Sequence, residues 1–149
     1  MSAIGQLSTA IYRNMQALVG SRLCNVDINL GQYDFLYVIS LHEGVTQTQL
    51  STWLRVGKST TAKAVKSLVG KGYVEKRKNE RDGRIDHLYL TGKGSAIAPR
   101  MAEIFQENIA VSLRGLTAEE EAQLLALLER VLANLVAENR LGTEADGHE

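Results

Sequence analysis

Apolar residues at Ile4, Leu7, Ile11, Met15, Leu18 and Val19 recur at three- and four-residue intervals, which predicts an amphipathic helix over residues 4–23. Tyr12 and Leu23 widen its apolar face. A polar connector over 25–29 leads to a short apolar helix over 31–42, with Phe35, Leu36, Val38, Ile39 and Leu41, ended by Gly44. Thr46 with Gln49 three residues on forms a capping box, and the helix it opens is expected to turn Leu50, Trp53 and Leu54 inward. Val56-Gly57 supplies a tight turn through glycine's conformational freedom, and the next helix covers 58–70. On a helical wheel Thr61, Val65, Leu68 and Val69 share one face, while Ser59, Lys63, Lys66 and Gly70 lie opposite.

Gly72 stops that helix and the period changes. Two strands, 73–78 and 85–90, are joined by residues 79–84, in which Asp82-Gly83 provides the turn chemistry. Thr91 caps a long helix over 92–113, with Pro99 inside it and expected to kink it. Thr117 and Glu120 make another capping box for a last helix running to about residue 139. Its Leu124, Leu125, Leu127, Leu128, Val131, Leu132, Leu135 and Val136 cover about half the circumference, more than the roughly 100° stripe that packing on one chain needs. The terminal helices are therefore expected to bury surface against a second subunit. The polar, acidic stretch from 142 to 149 reads as a disordered tail.

At 149 residues the chain makes one domain, or one compact unit with helical extensions, and it needs no disulfide or metal for stability. Its one cysteine, Cys24, suits a reducing compartment. No apolar run approaches the roughly 20 residues of a membrane span, and the start lacks a basic signal-peptide region. A soluble, cytoplasmic protein without membrane contact is expected.

Charge changes the picture more than composition does. The chain is neutral overall, yet between Arg55 and Lys93 eleven cationic side chains face only Glu75, Glu80, Asp82 and Asp86, a local excess of seven. A neutral protein that gathers its positive charge on one small module is built to meet a polyanion there. The second helix of a helix-turn-helix enters the major groove, where base edges display a distinguishing pattern. Lys58, Ser59, Thr60, Lys63 and Lys66 lie at the end and on the face for such contacts. Small residues let the backbone approach, and lysines neutralise phosphates. The hairpin projects Arg77, Lys78, Arg81 and Arg84 alongside, and an arginine at its tip can enter the narrow minor groove. Double-stranded DNA is the partner this predicts.

The run from Leu50 to Gly94 resembles the MarR-type winged-helix transcriptional regulators without a gap. The wing signature, an aspartate, one residue, then an arginine, is matched by Asp82-Gly83-Arg84, and the start of the following helix by Leu90-Thr91-Gly92-Lys93-Gly94. The resemblance implies a mainly α (α+β) fold, a winged helix-turn-helix with flanking helices forming a dimerisation region. Residues 1–30 would be the N-terminal dimerisation helix and connector, 31–91 the DNA-binding part, 92–140 the C-terminal dimerisation helices, and 141–149 the tail. It further implies a homodimer that represses transcription from a pseudo-palindromic operator, with Arg84 reaching the minor groove and Asp82 holding it. A small aromatic or anionic effector would release the DNA. The usual arginine late in the first recognition turn is Lys63 here, the usual threonine before it is Ala62, and the usual capping aspartate is Gly57. These departures bear on base preference, because lysine lacks the bidentate fork for guanine.

Other signals carry less. Gly57-Lys58-Ser59 resembles the end of a phosphate-binding loop, but Thr52 stands where that loop needs glycine. His42, His87 and His148 have no ligand-spaced partners, so neither metal nor other cofactor is expected. Cys24, near a helix end with Arg22 close by, leaves a redox-sensing regulator open as an alternative. Tyr33, Tyr37 and Trp53 could line an effector pocket or simply pack the core. No nucleophile–base grouping suggests an enzyme. A winged-helix module that binds an acidic protein partner, without specific DNA binding, is the rival reading.

Overall fold

The structure is a computed structural model, and it describes residues 2–23, 26–28 and 30–145. Helix α1, Ala3–Arg22, begins where the Ser2 hydroxyl accepts from Gly5 N. A single 3-10 turn, Leu30–Gln32, leads into α2, Tyr33–Leu41, so the helix expected over 31–42 starts tighter than an α-helix. Strand β1, Val45–Thr46, precedes α3, Gln47–Leu54, and α4, Lys58–Gly70. Then come β2, Val74–Lys78, β3, Asp86–Leu90, α5, Gly92–Ser112, and α6, Ala118–Ala145. The three strands form an antiparallel sheet in the order β1-β3-β2. This is the mainly helical winged helix-turn-helix that the sequence implied.

The chain divides into two compact units, Met1–Ile109 and Ala110–Glu149. The core of the first gathers Leu36 and Ile39 of α2, Leu50 of α3, Val65 and Leu68 of α4, Leu88 of β3, and Met101 and Ile104 of α5, all fully buried. In α1 only Val19 belongs to this core, joined by Leu23 just after the helix, whereas Ile4, Leu7, Ile11 and Tyr12 stay exposed. In the second unit, Thr117 and Glu120 form the expected reciprocal cap of α6, with Thr117 N donating to Glu120 Oε2 at 2.8 Å. Leu125, Leu127, Leu128 and Leu135 of that helix remain exposed. Helix α6 continues to Ala145, past the end expected near residue 139. Residues 146–149 of the expected tail, and Cys24, lie outside the described residues.

Three local expectations change. Trp53 does not turn inward; it is 48% exposed, because α4 docks on the Ser51 side of α3 and draws the packed arc away from it. Val69 is likewise exposed at the rim of α4, and Ala64 takes its place in the core. The tight turn is made by Arg55 rather than Val56-Gly57. Arg55 holds the left-handed φ of 55°, whereas Gly57, at φ −69°, is the N-cap of α4. Pro99 does lie inside α5, as expected.

A latch joins the connector to the base of the sheet. Tyr73 is buried just before β2, and its hydroxyl donates to Asp27 Oδ1 at 2.5 Å. Lys93 Nζ sits 4.2 Å from the Tyr73 ring centroid and 3.7 Å from Asp27 Oδ1. Burial, together with the Asp27 carboxylate, pushes the Tyr73 phenol up to about 12, and the Tyr73 hydrogen bond holds Asp27 below the ordinary carboxylate range. The acid-side contribution is present above the unfolded carboxylate value, about 4, and is lost as pH falls through the lowered folded value. The Tyr73 contribution is present below about pH 10 and is lost as pH rises through its folded value. Tyr73→Phe is therefore expected to lower Tm at neutral pH, with the gap to wild type closing below about pH 4 and above about pH 10. A gap that stays constant across thermal melts from pH 3 to 11 would contradict the latch.

Candidate nucleic-acid interface

The two helices of the helix-turn-helix are held at a fixed angle by polar as well as apolar contacts. Thr46 starts α3 with a complete capping box: its Oγ1 accepts from Gln49 N at 3.2 Å while Thr46 N donates to Gln49 Oε1 at 3.0 Å. Ser51 and Thr61 are buried between α3 and α4, and the Ser51 hydroxyl donates to Thr61 Oγ1 at 2.7 Å. Both groups satisfy each other in the interior, where an unmatched hydroxyl would be costly. Sequence reading placed Thr61 inward but missed its partner; the signal was a small hydroxyl one position beyond the inward Leu50.

With Thr61, Ala64, Val65 and Leu68 packed, the remaining face of α4 is set by the helical period. Ser59, Lys63 and Lys66 are exposed on it, as the wheel predicts, and Lys58 and Thr60 are exposed in the first turn of the helix. Gly57 gives α4 no side-chain cap, so its first backbone N–H groups keep the partial positive charge of a helix start.

The wing is β2, β3 and the loop between them, paired from Val74↔Leu90 to Lys78↔Asp86. At its tip Asn79 Oδ1 accepts from Arg81 N at 2.8 Å and Asp82 N at 3.0 Å, and Asp82 Oδ1 accepts from Arg84 N at 3.0 Å. The Arg84 guanidinium meets the same carboxylate through Nε at 3.2 Å and Nη2 at 3.3 Å, leaving the arginine side chain 91% exposed but aimed. That hydrogen bonding holds the Asp82 carboxyl below its usual range. Arg81 is also exposed at the tip. Arg77 is different: Glu75 Oε1 accepts from its Nε and Nη2, its guanidinium lies 4.1 Å from the Tyr89 ring centroid, and the Glu75 bond raises its pKa. Lys78 pairs with Asp86 at 3.0 Å. Those two wing cations are partly neutralised by neighbours.

His87 of β3 is marked in the sequence only as a histidine without ligand-spaced partners. It joins the wing to the rest of the sheet, with Nδ1 2.7 Å from Gly44 O and Nε2 2.9 Å from Asn79 Nδ2.

The three candidate effector residues are not brought into one cavity. Tyr33 is buried in the core, Tyr37 stacks on Phe105 with centroids 4.8 Å apart, and Trp53 lies across His42 at 4.6 Å. A cavity of 180 Å³ opens in the first unit instead, lined among others by Tyr12, Met15, Asp34, Phe105 and Asn108. Tyr37 adjoins it through Phe105, and burial raises the Asp34 carboxyl above its ordinary value. Among the described residues no cluster of three or more His, Cys, Asp or Glu could hold a metal, and no helix is long and apolar enough to cross a membrane.

Comparison with known proteins matches the MarR family over residues 26–85. The HTH-type transcriptional regulator YybA of Bacillus subtilis (strain 168) is 30% identical over 125 residues, covering 84% of this chain and 83% of that one. Among solved structures, a MarR transcriptional regulator from Methanosarcina mazei Go1 is 30% identical with a TM-score of 0.71, over 90% of this chain and 96% of that one. A MarR family transcriptional regulator from Listeria monocytogenes, complexed with 26mer DNA, is 25% identical with a TM-score of 0.79, over 93% and 92%.

Proposed function

The chain belongs to the MarR family of transcriptional regulators, and from that footing we propose that it is a sequence-specific repressor acting as a homodimer on a pseudo-palindromic operator. One observation carries the reading: α4 presents an exposed row of Lys58, Ser59, Thr60, Lys63 and Lys66 in the same module as a wing arginine pre-aimed by a carboxylate. Lys63 is the residue expected to reach a base edge, Lys58 and Lys66 the flanking phosphates, and Arg84 the minor groove, with Arg81 beside it. Arg77 contributes field rather than a direct contact, since Glu75 and Tyr89 already engage it. The Listeria neighbour bound to a 26mer supports the same use of the fold.

The second copy is supported by apolar surface that lies uncovered on each unit: Ile4, Leu7 and Ile11 on α1, and Leu125, Leu128 and Leu135 on α6. We assign dimerisation to α1, α5 and α6. Release by a small effector completes the reading, and the cavity beside Phe105 offers room for one. Asp34 is its one charged lining residue, so an aromatic effector suits it better than an anionic one. Such a ligand regulates only by binding one dimer geometry better than the other. A ligand that binds without changing operator affinity would remove that step.

Lys63→Ala tests the recognition helix. It is expected to cost roughly 1–3 kcal/mol and to relax preference at one operator position, read by binding to a set of single-base operator variants. Unchanged affinity across the set would take Lys63 out of the contact surface.

A further inference from the structure

We infer that His87 is a positioning residue for the wing arginines, acting through Asn79 and only while its imidazole is uncharged with the proton on Nδ1. The inference rests on the DNA-binding reading above and adds the side chains that set the wing's conformation. It follows from counting donors. Asn79 Oδ1 accepts two backbone N–H bonds, from Arg81 and Asp82. That fixes the amide orientation, because the NH2 group cannot accept. Nδ2 must then donate toward His87 Nε2 at 2.9 Å, so Nε2 is the lone-pair nitrogen. Nδ1 carries the proton and donates to Gly44 O at 2.7 Å. A chain of bonds thus runs from the turn before β1, through β3, to the two backbone amides flanking the wing tip.

Charging the imidazole breaks this chain at one point. Nε2–H would meet Asn79 Nδ2–H, donor against donor. Rotating the amide to relieve the clash would turn its NH2 toward Arg81 N and Asp82 N and lose both. Either outcome frees the turn from which Arg81 and Arg84 project. The charged and titratable groups nearby are otherwise engaged. Arg77, the register partner of His87 on β2, is held by Glu75 and Tyr89; Asp86 on β3 is paired with Lys78; and Glu43 beside Gly44 accepts from Leu90 N. From β1 the register partner is Thr46, which does not titrate.

The sign of the effect is diagnostic. Histidine changes charge between pH 5 and 8, and an added positive charge beside a polyanion ordinarily strengthens binding. Here acidification is expected to weaken it. The experiment has two arms on the full-length protein. In the first, amide shifts of Arg81 and Asp82 are followed by NMR without DNA from pH 7.5 to 5.5, in wild type and His87→Gln, whose side-chain oxygen can accept from Asn79 but does not titrate. In the second, affinity is measured at both pH values and constant ionic strength for a duplex enriched from random DNA by the wild type at pH 7.5.

Wild-type Arg81 and Asp82 amides should differ between the two pH values, and wild-type affinity should fall by about twofold to tenfold on acidification, on the scale of one neutral hydrogen bond. His87→Gln should show neither change, and Asn79→Ala should bind more weakly at both pH values without the pH-dependent loss. Wild-type Arg81 and Asp82 amides that do not move, or wild-type affinity that does not fall with acid, would overturn the assignment. If no duplex is enriched, the DNA reading fails and the amide arm still decides the role of His87 in the wing.

Discussion

Replacing Gly94 with alanine is expected to destabilise the protein by about 3 kcal/mol or more, at the upper end of overpacking substitutions. A Cβ at that position would stand 2.2 Å from Tyr73 O, 3.2 Å from Tyr73 C and 3.3 Å from Leu90 Cδ2. The nearest of these is backbone, which has no rotamer to escape into. It is also engaged, because Tyr73 O accepts from Thr91 N at 3.0 Å while Thr91 Oγ1 donates to Gly72 O and accepts from Gly94 N. Gly94 is thus where the first turn of α5 closes onto the root of the wing, and moving it apart disturbs both strands that carry the arginines. At the scale usual for chains of this size, Tm should fall by roughly 10 °C. Gly92→Ala is the control: it meets nothing within 4 Å and should be neutral or slightly stabilising. Equal melting of the Gly94 variant and wild type would refute the close approach.

Arg84→Ala is expected to weaken duplex binding by roughly 1–3 kcal/mol, about tenfold to a hundredfold, concentrated where the site beneath the wing is A·T-rich. The arginine is exposed, so its loss should leave Tm nearly unchanged; the effect belongs to binding. Asp82→Ala separates pre-organisation from charge. Removing a carboxylate makes the wing more positive, which by itself favours phosphate. Yet Asp82 restrains both the backbone and the guanidinium of Arg84, and freeing a long side chain with about 2 kcal/mol of rotamer entropy makes the contact costlier to form. Weaker binding by this more cationic variant is the expected outcome, measured by fluorescence anisotropy on one duplex. Tighter binding would mean that Asp82 does not hold the arginine for DNA.

What the sequence disclosed, and what it hid, follows from how far each signal extends along the chain. Helix periods run over many residues, so α1, α4 and α5 fall within a residue or two of where spacing puts them. Capping boxes are three-residue signals with a chemical reason, and those at Thr46 and Thr117 both form. The exposed Ser59, Lys63 and Lys66 of α4 were legible for the same reason, although at the rim of the packed face the wheel exchanged Val69 for Ala64. Strand β1 was not, because two residues carry no alternation; it exists only through pairing with Leu88 and His87. Trp53 was misplaced because periodicity gives the width of an apolar arc but not its centre, which here is fixed by the Ser51–Thr61 bond. Arg55 in the left-handed region and the Asn79–His87 link were invisible in one dimension, each being decided by tertiary partners.

If the cationic face of α4 and the wing of this MarR-family chain grip the phosphates and grooves of duplex DNA, as proposed, binding must be strongly electrostatic. Measuring duplex affinity against salt tests it most directly. A linear log–log decline of about −0.9 per phosphate contacted is expected, hence a loss of about 10³–10⁵ in affinity between 50 and 200 mM salt for six to ten contacts. A protein that stays monomeric and shows no affinity for any duplex at low ionic strength, or binds with no dependence on salt, would contradict it.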